Sequence, residues 1–125
     1  MFLYLVQHAA AKREEEDPGR DLTEKGRQEI KKVAHYLERL KVQVRQIFHS
    51  GKTRAQSTAN ILASHVKPQI GVSEAPGLAP MDDPQIWAGR IAAITEDMML
   101  VGHLPHLARL ATILMSGDKE RMVIN

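Results

Sequence analysis

The sequence contains no cysteine, which excludes disulfide bridges and thiolate metal sites. It also has no apolar run that approaches the length of a membrane span. Its formal net charge of +2 at pH 7 is too small an excess to indicate a nucleic-acid-binding protein, although it suits a small anionic substrate. We therefore expect a protein that binds neither nucleic acid nor membrane.

Length and composition predict one globular domain over residues 1–125. A chain of 125 residues can bury a hydrophobic core of its own, and 43% hydrophobic with 26% charged residues is ordinary for a soluble protein. The apolar run at the N-terminus is short and lacks a basic start, so it does not resemble a signal peptide. The expected location is cytoplasmic.

Apolar segments of two kinds alternate along the chain. Short apolar runs predict strands at residues 2–6, 44–49, 70–73, 98–101 and 122–124. Apolar residues at helical spacing predict helices at 24–40, 53–65, after Pro84 and at 106–115, with Thr23 as the cap of the first. This alternation predicts an α/β fold: a three-layer sandwich with a mostly parallel sheet and helices on both faces.

Polar groups follow three of the predicted strands. They are Gln7 with His8, Ser50 with the nearby Arg54, and His103 after Gly102. Because parallel strands end at one edge of a sheet, we expect these groups to meet in space. The alternative for each is a residue that merely ends a strand or lies on a helix surface.

The chemistry of this predicted group suits phosphate. The planar fork of Arg54 matches phosphate oxygens, and the first turn of a helix attracts anions. One imidazole, from His8, can attack phosphorus and carry it covalently. A second imidazole, from His103, can stabilise charge on the transferring group when it is protonated.

Three motifs resemble the histidine phosphatase superfamily, whose fold is phosphoglycerate mutase-like. They are the strand ending in Gln7-His8-Ala9, the segment Ser50-x-x-x-Arg54-Ala55-x-x-Thr58-Ala59, and Val101-Gly102-His103-x-Pro105. The short chain and the stretch Asp21-Leu22-Thr23-Glu24-Lys25-Gly26 are most similar to the SixA-type phosphohistidine phosphatases. SixA-type chains usually continue for a few strands more, so the resemblance implies a domain without those C-terminal strands.

The resemblance implies roles for the residues of these motifs. His8 is then the nucleophile, Arg54 binds the phosphoryl oxygens, His103 is the second histidine, and Gln7 lies in the phosphate pocket. The implied activity is a signalling phosphohistidine phosphatase that works through a covalent phosphohistidine intermediate, without metal or cofactor. Its partner would be a phosphorylated protein, such as a phosphotransfer domain, with phosphate ion as the product.

Two residues of the first motif depart from the family, which has arginine at Gln7 and glycine at Ala9. A hydrogen bond to a charged group contributes about 1.5–3 kcal/mol, so losing the arginine could lower activity roughly ten- to a hundredfold. Replacement charge could come from Lys12, Arg13, Arg20 or Lys52. Two alternatives stay open: a phosphatase for small phosphoesters, and a phosphate-binding module with little or no catalysis.

Several other polar residues have plainer interpretations. Asp82 and Asp83 lie where larger family members carry a proton-donating acid, but helix capping explains them as well. The acidic run at residues 14–17 and the pair His103 and His106 are weak candidates for metal ligands, and we expect no metal site. His35, His49 and His65 are interpreted as structural or exposed.

Overall fold

Strands and helices alternate in the computed structural model, which describes residues 1–116 and 122–124. The strands are β1 (Leu3–Gln7), β2 (Gln46–His49), β3 (Gly71–Glu74), β4 (Met98–Gly102) and β5 (Met122–Ile124). The helices are α1 (Glu24–Arg39), α2 (Thr53–Val66), α3 (Pro84–Ala92) and α4 (Leu104–Met115). No helix in these residues is long and apolar enough to cross a bilayer.

The five strands form one sheet in the order β3-β2-β4-β1-β5, and all of its pairings are parallel. β4 lies between β1 and β2, which brings three strand ends side by side. Gln7 pairs with Gly102, and His49 pairs with Val101. The predicted parallel sheet is therefore confirmed, and its carboxyl edge carries the predicted polar groups.

Helices cover both faces of the sheet. Leu3 and Leu5 belong to the core under α3 and α4, where Trp87 is fully buried. Val6 belongs to the core under α1 and α2, together with Ile47 of β2. Successive side chains of a strand point to opposite faces, so one apolar run supplies both cores. The predicted three-layer sandwich is confirmed.

Helix α4 starts earlier than the sequence predicts. The sequence indicates a turn at Leu104 and Pro105 with the helix beginning at His106, but the helix begins at Leu104. Proline suits the first helical turn because the N–H that it lacks would have no partner there. His103 thus occupies the N-cap position of α4, directly after β4.

Helix α1 approaches the loop after β1 at Gly26. A Cβ atom built on Gly26 would lie 2.3 Å from the carbonyl oxygen of Ala10, which is backbone and cannot swing away. Thr23 caps the same helix end and also anchors it, because its backbone N donates to the Ala10 oxygen at 2.9 Å. The glycine therefore lets α1 hold the segment that follows His8.

Replacing Gly26 by alanine is expected to lower the free energy of unfolding by about 1–3 kcal/mol, because the added methyl overlaps backbone. The matched control is Gly89→Ala in α3, where a Cβ meets nothing within 4 Å. That change should raise the stability by about 0.5–1 kcal/mol through helix propensity. Urea denaturation of both variants measures the difference, and equal effects would contradict the close approach.

Candidate active site

His8 is the first residue after β1, and its backbone N donates to the Gly102 oxygen at 2.9 Å. Its ring Nδ1 lies 2.8 Å from the oxygen of Ala9. A carbonyl can only accept, so Nδ1 carries the hydrogen and Nε2 keeps a free lone pair. Burial lowers the pKa of His8. The hydrogen bond to Ala9 raises this pKa, the charges of Arg54 and Arg20 lower it, and the net shift is downward. A neutral imidazole with an available Nε2 is the form that can attack phosphorus.

His103 lies against His8 at the same sheet edge. The two ring centroids are 5.0 Å apart in an edge-on arrangement. The Nε2 atom of His103 and the hydroxyl of Ser50 are 2.7 Å apart, within hydrogen-bond distance. The predicted meeting of the residues after β1, β2 and β4 is thus present in the fold.

The role that the sequence suggests for His103 needs a protonated ring, so its pKa matters. Burial lowers its pKa to about 4, with further lowering by the charges of Arg54, His8, Lys52 and His106. In the free protein at pH 7 the ring is therefore neutral. A protonated His103 requires the opposing charge of a bound phosphoryl group.

The lowered pKa of His103 makes folding stability depend on pH. The unfolded chain binds more protons between pH 6.5 and about 4, so the free energy of unfolding falls as the pH falls through this window. The contribution of His103 is up to about 3 kcal/mol. We expect His103→Gln to flatten this dependence in denaturation experiments without phosphate. An unchanged pH slope would contradict the lowered pKa, since the other histidines are common to both proteins.

Arg54 lies in the first turn of α2, as the sequence predicts. Its backbone oxygen accepts a hydrogen bond from the Thr58 hydroxyl at 2.8 Å. The Nε atom is buried and has no hydrogen-bond partner among the residues that the structure describes. The charge of Arg54 acts on both His8 and His103. The guanidinium can therefore bind an oxyanion next to both rings.

Gln7 is the last residue of β1 and pairs with Gly102 of β4. It is exposed at the end of β1, whereas His8 and Arg54 are partly buried and His103 is buried. Direct contacts join His8 to His103 and His103 to Ser50, and the charge of Arg54 acts on both histidines, whereas Gln7 stays a predicted pocket residue.

Arg20 is the cation that the loop after β1 brings to His8 and Arg54. Its charge lowers the pKa of both residues, after the larger effect of burial. Its Nε donates to the Lys12 oxygen at 3.0 Å, and its backbone has a φ of 51°. Of the four cations considered from sequence, Arg13 instead pairs with the acidic run at residues 14–17. The charge of Lys52 acts on His103, so Arg20 is the one of these four cations whose charge is seen to lower the pKa of His8.

A polar network that the sequence did not predict holds this loop on α1 and α2. Asp21 accepts hydrogen bonds from Ser57 at 2.7 Å and from Arg27 at 2.7 Å. Burial raises the pKa of Asp21, but the Ser57 and Leu22 hydrogen bonds and the Arg27 charge outweigh it, so the net shift is downward. The network fixes the backbone next to Arg20.

A second unpredicted contact holds the backbone that follows His8. The Thr58 hydroxyl accepts from the backbone N of Ala9 at 3.0 Å. The signal in the sequence is a polar Thr58 on an otherwise apolar helix face, because a buried hydroxyl needs a partner.

The two candidate acids make hydrogen bonds near the start of α3, and the candidate ligand His106 makes none. Asp83 caps α3 by accepting from Gln85 N at 2.9 Å, and Asp82 accepts from Ala79 N at 2.9 Å. His106 is fully buried, and neither ring nitrogen has a hydrogen-bond partner within the described part of the chain. Among the described residues none of the three is hydrogen-bonded to His8 or His103, although the charge of His106 acts on His103.

The sequence model of the histidine phosphatase superfamily (branch 1) matches residues 3–99. The chain belongs to the histidine phosphatase superfamily. The predicted family is thereby confirmed. The matched residues include the motifs around His8 and Arg54, and the motif that contains His103 follows directly after them. A search among curated proteins finds no match.

Solved structures of the superfamily share the fold. The protein histidine phosphatase SixA, solved with tungstate, superposes with a TM-score of 0.82 at 23% identity, over 90% of this chain and 75% of that one. A protein of Agrobacterium tumefaciens that carries the SixA name gives 0.72 at 23% identity, over 91% and 74%. Phosphoglycerate mutase from Plasmodium falciparum gives 0.65 at 18% identity, over 93% and 69%. The likeness confirms the phosphoglycerate mutase-like fold.

Proposed function

We propose that this histidine phosphatase domain is a phosphohistidine phosphatase that uses His8 as its nucleophile. One observation carries the proposal: the free Nε2 of His8 and the ring of His103 lie together at one sheet edge, where the charge of Arg54 acts on both rings. The domain proposed for this activity is the single unit of residues 1–125. Its partner would be a phosphotransfer domain of a cytoplasmic signalling protein.

In the first step the guanidinium of Arg54 binds phosphoryl oxygens of the substrate. The Nε2 lone pair of His8 forms a bond to phosphorus while the bond from phosphorus to the substrate nitrogen breaks. The electron pair of that bond leaves with the substrate imidazole, which takes up a proton from solvent. Arg54 stabilises the charge on the transferring group, and His103 does so once the bound phosphoryl charge has led to its protonation.

In the second step water attacks the phosphoryl group on His8. The bond from Nε2 to phosphorus breaks, its electrons return to the imidazole, and phosphate leaves with the oxygen of the water. The hydrogen bond from Nδ1 of His8 to Ala9 holds the ring in the same tautomer before and after the cycle.

The leaving group favours phosphohistidine over a phosphoester. No carboxyl group of the described residues is hydrogen-bonded to His8 or His103, so the site has no evident acid to protonate an alkoxide. An imidazole, with a pKa near about 6.5, departs more easily than an alkoxide. The tungstate bound by the SixA protein is an oxyanion, which supports a comparable anion site here.

The proposed reaction needs no metal, because its charge stabilisation comes from the guanidinium and the imidazoles. The experiment is phosphate release from a phosphohistidine peptide and from p-nitrophenyl phosphate, with EDTA present. We expect faster release from the phosphohistidine peptide. Faster release from the phosphoester would favour the first alternative, a small-molecule phosphomonoesterase of the same family.

A phosphate-binding module is the second alternative, and Gln7 favours it because no arginine precedes His8. Such a module would bind phosphate but release none from either substrate. Single-turnover measurements with enzyme in excess separate this alternative from a slow enzyme. Release in a single turnover would support the phosphatase.

Arg20 is expected to supply the charge that Gln7 does not. Replacing Arg20 by glutamine should lower kcat/KM about ten- to a hundredfold, since a hydrogen bond to a charged group contributes about 1.5–3 kcal/mol. Arg13→Gln is the matched control, because Arg13 pairs with exposed acids in the same loop. If Arg20→Gln matches the control while Gln7→Arg gives a large gain in rate, Arg20 is not the replacement.

A further inference from the structure

Two histidines and a glutamate form a cluster on the outer surface of α1 and α2. Glu38 and His35 lie three residues apart on α1, and His65 lies in the last turn of α2. The Nδ1 atoms of His65 and His35 are 2.8 Å and 3.9 Å from Oε1 of Glu38. The two rings are nearly perpendicular, with centroids 6.0 Å apart. From sequence alone both histidines are interpreted as structural or exposed.

The backbone under this cluster is held by the core. Residues three apart on a helix share one face, which places His35 beside Glu38. Their neighbours Ala34 and Leu37 are buried in the core that α1 shares with α2, and Val66 is buried beside His65. The three side chains are therefore presented by two helices whose relative position is fixed by packing.

The ligand atoms of this cluster have the spacing of a metal site. One ligand atom from each of the three residues lies within 4.8 Å of the other two. Ligands at about 2.0–2.1 Å from a tetrahedral ion are roughly 3.4 Å apart, so small side-chain rotations suffice to close the site. It is the only such group within the described residues.

We propose that His35, Glu38 and His65 bind one zinc ion that links α1 to α2. Two imidazoles and one carboxylate match the nitrogen and oxygen ligands of zinc, and water would complete four-coordination. Glu38 and His65 also border a surface recess with Lys41 and Lys67, so the ion is open to solvent. Lys67 is the competing positive charge near Glu38.

This zinc site is separate from the proposed catalytic group. Arg54 and His65 lie on the same helix, eleven residues apart, which corresponds to about 16 Å along the helix axis. The site adds a structural ion and does not alter the proposed metal-free chemistry. Its test therefore succeeds or fails independently of the proposed function.

The experiment is calorimetric titration of tag-free protein with zinc sulfate. We expect one zinc ion per chain, with binding weakened at least about a hundredfold in His35→Ala and in His65→Ala. That size follows because even an outer partner of a metal ligand contributes about 10–100-fold in affinity. Tyr36→Ala, which changes an exposed neighbour on α1, and His8→Ala, which removes the other close histidine pair, should bind zinc as the parent does.

Thermal unfolding gives a second readout. Zinc at a hundredfold excess over its Kd should raise the Tm of the parent by at least about 5 °C, and should leave that of His65→Ala unchanged. No stoichiometric binding by the parent would overturn the proposal. Binding that survives in both cluster variants but disappears in His8→Ala would also overturn it, because the zinc would then lie between His8 and His103.

Discussion

Replacing His8 by alanine is expected to lower kcat/KM for phosphate release by at least about a thousandfold, because the proposed phosphoryl intermediate forms on this residue. The free Nε2 of His8 is the atom that this change removes. His103 cannot take over readily, since its Nε2 lies at hydrogen-bond distance from Ser50. The measurement is phosphate release from a phosphohistidine peptide under EDTA.

Detecting a covalent intermediate would distinguish a nucleophilic His8 from a His8 that only binds phosphate. Rapid quenching of the parent into alkali should retain label from a phosphorylated substrate on the protein, and acid should release it, as expected for a phosphorus–nitrogen bond. His8→Ala should take up no label. His8→Asn, which keeps a polar side chain of similar size, should also fail. Labelling of either variant would show that His8 is not the acceptor.

The sequence predicted the fold and the meeting of the motif residues from one physical regularity. Apolar runs that end in polar residues mark strand ends, and parallel strands end at one edge. Residues as distant in sequence as His8 and His103 can therefore be placed at one edge of the sheet, and they lie side by side because β4 pairs with β1. The same reasoning placed Arg54 in the first turn of α2.

The cation proposed to compensate for Gln7 could not be identified from the sequence. Arg20 adopts a left-handed backbone conformation, which a glycine in the sequence would usually indicate. The network around Asp21 holds the backbone next to it. Those contacts join the loop to both α1 and α2, so they depend on helix packing. The sequence left four cations equivalent, and only tertiary structure distinguishes Arg20.

The neutral state of His103 could not be predicted from the sequence either, because it too depends on tertiary structure. Spacing shows that a histidine follows β4, but its pKa depends on burial and on the cations that surround it. Only part of the cluster of His35, Glu38 and His65 could be predicted from the sequence. A helix places His35 beside Glu38, whereas the position of His65 depends on how α2 packs against α1.

Replacing Arg54 by alanine is expected to lower kcat/KM by about 10²–10³-fold, the usual effect of removing a positioned group that stabilises transition-state charge. Arg54→Lys should restore part of the rate, because lysine keeps the charge but loses the planar fork that matches phosphate. Phosphate affinity should be highest in the parent, lower in Arg54→Lys and lowest in Arg54→Ala. Full activity in Arg54→Lys would mean that charge alone suffices, and full activity in Arg54→Ala would contradict the role.

The same variant has an electrostatic signature that a structural role would not produce. The charge of Arg54 lowers the pKa of His8 and of His103, so its removal should raise both. NMR titration of the imidazoles without phosphate measures this directly. The acid limb of the pH–rate profile should move to higher pH in Arg54→Ala, since His8 must be neutral to attack, and should stay in place in Arg54→Lys. A profile that drops in height without moving would indicate that Arg54 lies too far from His8 to influence it.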